Sequence, residues 1–250
     1  MRFQTTNKIN STKKINKIGT KKAIKHMKWF FTLLGIWFLI SKNTKTMKKF
    51  WISLVLIFNQ SLLAFILVPS FVYVIYYEQD IKIKIALFGP IGVVVSCFLK
   101  YVAVIIRRKN INKCIEQLKI DWKTLRNKEE QDVMMKNLNH GVNITIFCAT
   151  AIYIGGVSHQ IFAPFLPGSI ISIVRNSTGR PLIYPVYDML FNTQTTPTYE
   201  IIYLSQVLIG IVVCTMAIAT CNVSAIFVTH ICGQVHIMML KLTRLSDIHE

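Results

Sequence analysis

Three side chains able to ligate a metal lie close together late in the sequence: His230, Cys232 and His236. Cys232 and His236 are four residues apart and share a helical face, whereas His230 points elsewhere. Hydrogen bonding between neighbouring helices suits the trio better than a metal. The six cysteines, Cys97, Cys114, Cys148, Cys214, Cys221 and Cys232, lack C-x-x-C spacing and read as packing residues. There is no G-x-S-x-G, no H-E-x-x-H, no phosphate loop and no paired carboxylate within an apolar stretch. No enzyme, metal or cofactor is expected.

A second group suits binding rather than bond making. Tyr73, Phe88, Tyr153, His159, Phe162, Tyr203 and Gln206 all fall near the same end of long apolar stretches. Aromatic walls with a few polar groups fit a small, mostly apolar ligand. Plain helix packing with aromatics at an interface explains any single one of them better. Lys100 is the one charge inside an apolar stretch, seven residues before Arg107, within snorkelling reach of its end.

The elements that must hold these residues follow from composition. Of the 250 residues, 52% are hydrophobic and 16% charged, against about 25% charged in soluble domains. The formal charge is nevertheless +18. Apolar runs with segregated positive charge are the pattern of a polytopic membrane protein. A bilayer core needs roughly 20 helical residues to cross, and four stretches meet that need: 50–77, 85–106, 142–165 and 201–231. The expected fold is all-α, with four transmembrane helices.

Lys and Arg set the orientation. Thirteen precede the first span with no acid among them, 9 lie over 107–137 and 2 follow the last span. The other side carries Lys82, Lys84, Arg175 and Arg180. The positive-inside rule therefore places both termini in the cytosol. Of the sequons at Asn10, Asn59, Asn143, Asn176 and Asn222, Asn176 alone falls in an external loop, and it is the expected glycosylation site.

Outside the spans, residues 1–28 read as a basic disordered tail, and 29–49 as an interfacial helix with its linker, anchored by Trp29 and Trp37. The membrane domain is 50–250. Its cytosolic loop, 107–138, carries Ile111, Ile115, Leu118, Trp122 and Leu125 in steps of 4, 3, 4 and 3, a helical stripe. Past the last span, 232–250 reads as a helix extension, and Ile231, Val235, Met238, Leu242 and Leu245 repeat those steps. The external loop 166–200, with Pro167, Pro181, Pro185 and Pro197 among aromatics, reads as either a folded lid or a membrane-surface loop.

Three blocks resemble the insect odorant receptors, a seven-span family of odorant-gated cation channels. One is Asp121-Trp122-Lys-Thr-Leu, followed by Glu129-Glu130 and Met134-Met135. The second is Pro181-Leu-Ile-Tyr-Pro185 leading into Tyr199-Glu-Ile-Ile-Tyr203-Leu-Ser-Gln206. The third is His230-Ile-Cys-Gly233-Gln234, continuing to Lys241-Leu-Thr-Arg244-Leu. Leu33-Leu-Gly-Ile-Trp37 also resembles the segment before the first span.

The resemblance implies a small volatile ligand in the outer halves of the early spans, and by location alone gives that role to Tyr153, His159, Tyr203 and Gln206. It also implies an obligate co-receptor subunit, membrane lipid around the assembly, and residence in the plasma membrane of olfactory sensory neurons. The chain departs from the family in carrying four spans rather than seven, so it reads as truncated before the pore helix. A gustatory-type chemoreceptor, a four-span scaffold without ligand and a small-solute transporter remain as alternatives. Nucleic acid is not an expected partner, since a basic segment beside a span suits topology and anionic lipid.

Overall fold

The computed structural model describes residues 2–37, 46–77, 79–125, 127–162, 182, 184 and 195–249, and every regular element among them is helical. We number the helices α1 (Arg2–Leu33), α2 (Thr46–Val72), α3 (Ile81–Ile106), α4 (Arg108–Thr124), α5 (Lys128–Phe162) and α6 (Thr198–His249). Four are long and apolar enough to cross a membrane, over Ser53–Tyr77, Leu87–Ile106, Lys128–Phe162 and Thr198–Asp247. The all-α, four-span architecture expected from the charge-free runs is the one that forms.

Local sequence sets the breaks. Pro69 lies inside α2, where its ring removes a backbone donor, and the helix widens into a π-turn at Tyr73–Tyr77. Asp80 caps α3 by accepting from the Lys82 backbone N–H at 2.8 Å. Near Arg107 the chain re-enters a helix at once, so α4 follows α3 almost without a linker. Glu129 and Glu130 sit in the first turn of α5, where negative charge suits the helix dipole.

Helices α5 and α6 form the central pair, antiparallel and in close register. From one end to the other, Gly156 meets Cys214, Tyr153 meets Thr215, Thr145 meets Asn222, Gly141 meets Thr229 and Met134 meets Gly233. Three of these five contacts rest on a glycine. A Cβ at Gly141 would lie 2.5 Å from Thr229 Oγ1, and one at Gly156 would lie 2.5 Å from Cys214 Sγ. Small residues let two helices approach where lipid supplies no hydrophobic drive between them. At 35 and 52 residues, α5 and α6 are about 52 and 78 Å long, well beyond a bilayer core of about 30 Å.

The N-terminal part corrects the sequence reading. Instead of a disordered tail over 1–28 and a separate interfacial helix within 29–49, one helix runs from Arg2 to Leu33. Its Asn16, Gly19, Ala23, Met27, Phe30, Phe31 and Leu34 are buried at helical spacing, while Lys17, Lys21, Lys25 and Lys28 face outward. The stripe packs on α4, α5 and α6. The composition looked disordered because two members of the stripe, Asn16 and Gly19, are not apolar.

Gly35 then ends the helix at φ 73°, with Ile36 N–H donating to Phe31 O at 2.8 Å and Gly35 N–H to Thr32 O at 3.0 Å. This left-handed stop favours glycine. Beyond it, the Tyr101 hydroxyl of α3 donates to the Leu34 carbonyl, and Asn59 of α2 reaches Tyr101 at 3.5 Å.

The stripe expected over 107–138 is buried where it counts: Ile115, Leu118, Trp122 and Leu125 face the core, and Ile111 packs at its edge. The matching stripe at the end of α6, Ile231 to Leu245, is exposed.

Candidate functional site

The resemblance-bearing blocks meet one another in space. Near the end of α6, His230 Nε2 lies 2.9 Å from Asp121 Oδ2, Lys241 Nζ lies 3.1 Å from Glu130 Oε1, and Arg244 pairs with Glu129. Met134 sits where a Cβ on Gly233 would lie 2.7 Å from its sulfur. The first and third blocks are thus two halves of one interface. His230 is spent on Asp121, and no group of three or more His, Cys, Asp or Glu able to hold a metal exists among the described residues.

Asn16 completes this end. Its amide donates to the Leu125 carbonyl at 3.1 Å and accepts from Gln131 Nε2 at 2.8 Å, tying α1 to the end of α4 and the start of α5. Trp122 is 1% exposed and fills the space beside Gly19, where a Cβ would lie 2.3 Å from its ring.

The second block is likewise joined to itself at the opposite end of the pair. Gln206, fully buried, accepts from Tyr184 N–H at 3.2 Å and donates to Tyr184 C=O at 3.0 Å. A side-chain amide thereby bonds a stretch of backbone as a neighbouring strand would. Burial pushes the Tyr184 phenol above its ordinary ionisation range, against a hydrogen bond from Gln160 that favours the ionised form. Gly210 makes room for that Gln160, since a Cβ there would lie 2.7 Å from Gln160 Cδ.

The seven ligand candidates do not converge on one point. Tyr153 donates to Thr215, at 2.9 Å, because the Thr215 hydroxyl hydrogen is already given to Ile211 O at 2.7 Å. Tyr203 stacks on Tyr199 with ring centroids 5.9 Å apart, and Gln206 holds Tyr184. Tyr73 is half-buried within the π-turn. His159 and Phe162 are exposed near the end of α5. Asn176 and most of the 166–200 loop lie outside the described residues.

Phe88 alone of the seven lines a cavity of about 410 Å³ between α3 and α6. Gly89, Gly92, Val93, Ser96, Cys97 and Lys100 continue its α3 wall, and Val213 and Ala217 form the α6 wall. A Cβ at Gly89 or Gly92 would meet nothing within 4 Å, so the missing side chains are what give the cavity its width. The lining is mostly apolar, with Ser96 and the Lys100 ammonium as its polar points, and Lys100 has no carboxylate partner among the described residues. Beyond Phe88, sequence reasoning did not assemble this wall. The signal was the Gly89-Pro90-Ile91-Gly92 run, small residues on an otherwise bulky span.

Residues 85–249, about two thirds of the chain, match the family model described as 7tm Odorant receptor. No curated protein and no solved structure matches the chain. The matched residues span α3 to α6 and so contain the cavity and most of the block-to-block contacts.

Proposed function

This chain belongs to the odorant receptor family, and from that premise we propose that it binds small, mostly apolar volatile molecules in the cavity between α3 and α6. It is a multi-pass membrane protein of a receptor family, not an enzyme family. The observation that carries the binding reading is the cavity itself. Its volume falls within the roughly 300–1,000 Å³ typical of small-molecule sites, its walls are apolar, and Phe88 stands at one end.

In this reading Tyr153, Tyr203 and Gln206 help to hold α5 and α6 in register beside the cavity. Binding shifts a closed–open equilibrium by contacting one state better than the other. In the full-length receptor, assembled with an odorant co-receptor subunit in the plasma membrane, that shift gates a cation current.

The test is displacement of an apolar fluorescent probe, 1-aminoanthracene, from the purified chain in lipid nanodiscs by a panel of volatile alcohols, esters and ketones. Gly92→Phe fills the cavity and is expected to weaken the best displacer at least about tenfold, with helicity unchanged. Equal displacement from the two proteins would overturn the assignment.

Orientation is part of the same reading, with the basic N-terminus in the cytosol. Translation into microsomes is expected to add one glycan, lost in Asn176→Gln. A glycan lost instead in Asn10→Gln would invert the topology.

A further inference from the structure

A second cavity, of about 430 Å³, lies between α5 and α6 near the end of the pair that carries α1. Its lining is Lys136, Asn137, Asn139, His140 and Asn143 from α5 and His236 from α6. Every one is a cation, an imidazole or an amide, and none is a carboxylate. The nearest acid on α5, Asp132, stands one turn before Lys136 and is not part of the wall.

Neighbouring contacts set which atoms face inward. Lys22 of α1 donates to Asn139 Oδ1 at 2.7 Å, so the end of that amide left to donate is its N–H₂. Through that bond Lys22 brings a second ammonium next to Asn139, one of the wall residues. Asn137 instead spends its amide N–H on Val133 O at 2.9 Å, which leaves its oxygen to accept. The wall therefore offers amide and imidazole N–H donors, two cations nearby and amide oxygens such as that of Asn137 to accept, a set that matches a phosphate group carrying hydroxyls next to it.

Depth in the membrane decides the source of that phosphate. Asn143 stands just inside the uncharged stretch that opens at Val142, and Lys136 lies seven residues earlier, about 10 Å along the helix. The headgroup layer on each side of a bilayer core is about 5–8 Å thick. The cavity thus spans the headgroup level rather than open water, and the outward lysines of α1, Lys17, Lys21, Lys25 and Lys28, add to the positive field on the same end of the molecule.

We propose that this cavity binds the phosphorylated headgroup of an anionic membrane lipid, a site separate from the α3–α6 cavity and independent of the ligand reading above. The experiment titrates the purified 250-residue chain in neutral detergent with dioctanoyl phosphatidylinositol 4,5-bisphosphate, and measures affinity by thermophoresis. Dioctanoyl phosphatidylcholine and free inositol 1,4,5-trisphosphate are the comparisons.

Saturable binding of the bisphosphate lipid is expected, at least about tenfold tighter than of the choline lipid or the free trisphosphate. Lys136→Gln with His236→Gln, both exposed positions, should weaken it about tenfold or more. Lys17→Gln with Lys21→Gln should weaken it less than about threefold, as loss of a diffuse field does. Melting of the unliganded variants within a degree of the parent, together with an unchanged affinity at the cavity positions, would overturn the site. Equal losses from both pairs would reduce it to a general basic surface. Trisphosphate binding as tightly as the lipid would overturn the lipid as its source.

Discussion

The two ends of the α5–α6 pair are held by different forces. At the α1 end the helices are laced by charges and amides: Asp121 with His230, Glu130 with Lys241, Glu129 with Arg244, and Asn16 between Leu125 and Gln131. At the other end the fastening is one buried glutamine on one stretch of backbone, with aromatic stacking and hydroxyl pairs around it. The first end is built like the core of a water-facing bundle, where α1 packs on α4, α5 and α6 and Trp122 fills the space beside Gly19. The second is a membrane bundle, in which small residues set the helix spacing and a cavity opens beside Gly89 and Gly92. Polar fastening is concentrated at the α1 end, and the apolar cavity lies beside the part of α6 that carries Val213 and Ala217.

The comparison breaks most completely at Trp122. Trp122→Ala removes the side chain that fills the α1–α4 junction, and such losses cost about 3–5 kcal/mol. Thermal unfolding in detergent should fall accordingly, with hydrogen exchange over 16–34 rising first. If exchange instead rises first near Tyr184, Trp122 is not what holds the α1 end.

Next in size come two wedges. Gly141→Leu and Gly156→Leu each force a side chain into a contact of 2.5 Å, and overpacking of this kind costs about 1–3 kcal/mol. Gly156→Leu should disturb probe binding in the α3–α6 cavity through Cys214, the neighbour of Val213, whereas Gly141→Leu should lower stability with little change in binding.

Gln206→Leu keeps the volume but strips both bonds to Tyr184. Leaving that backbone N–H and C=O unpaired costs about 1–3 kcal/mol, read as faster exchange at Tyr184 with 16–34 unchanged. Smallest is Lys241→Gln. Its ion pair with Glu130 is more than half exposed on the lysine side, and such pairs contribute about 0–1 kcal/mol, so the expected shift in unfolding is near the error of the measurement.

The spans were legible because nothing but length and missing charge defines them. Trp122 and its stripe were legible too, since bulky apolar residues in steps of 3 and 4 have few other uses. Helix α1 was not, because its buried face begins with an asparagine and a glycine whose partners, Leu125, Gln131 and Trp122, lie more than a hundred residues away. The cavity was hidden for the opposite reason. Its width comes from side chains that Gly89 and Gly92 do not have, and hydropathy has no way to register a vacancy. The Tyr184–Gln206 bond needs two segments 22 residues apart to meet, and only their order in the second block hinted that they do.

Helix α6 runs unbroken for 52 residues, and this has a mechanical consequence. Gln206 is pinned near its start, Val213 and Ala217 border the cavity, and His230 and Gly233 are held by Asp121 and Met134 toward its finish. A slip of one residue along the axis is 1.5 Å, more than a hydrogen bond of 3.0 Å can stretch and survive. The rod therefore cannot creep: it stays seated at both ends, or it lets go of one.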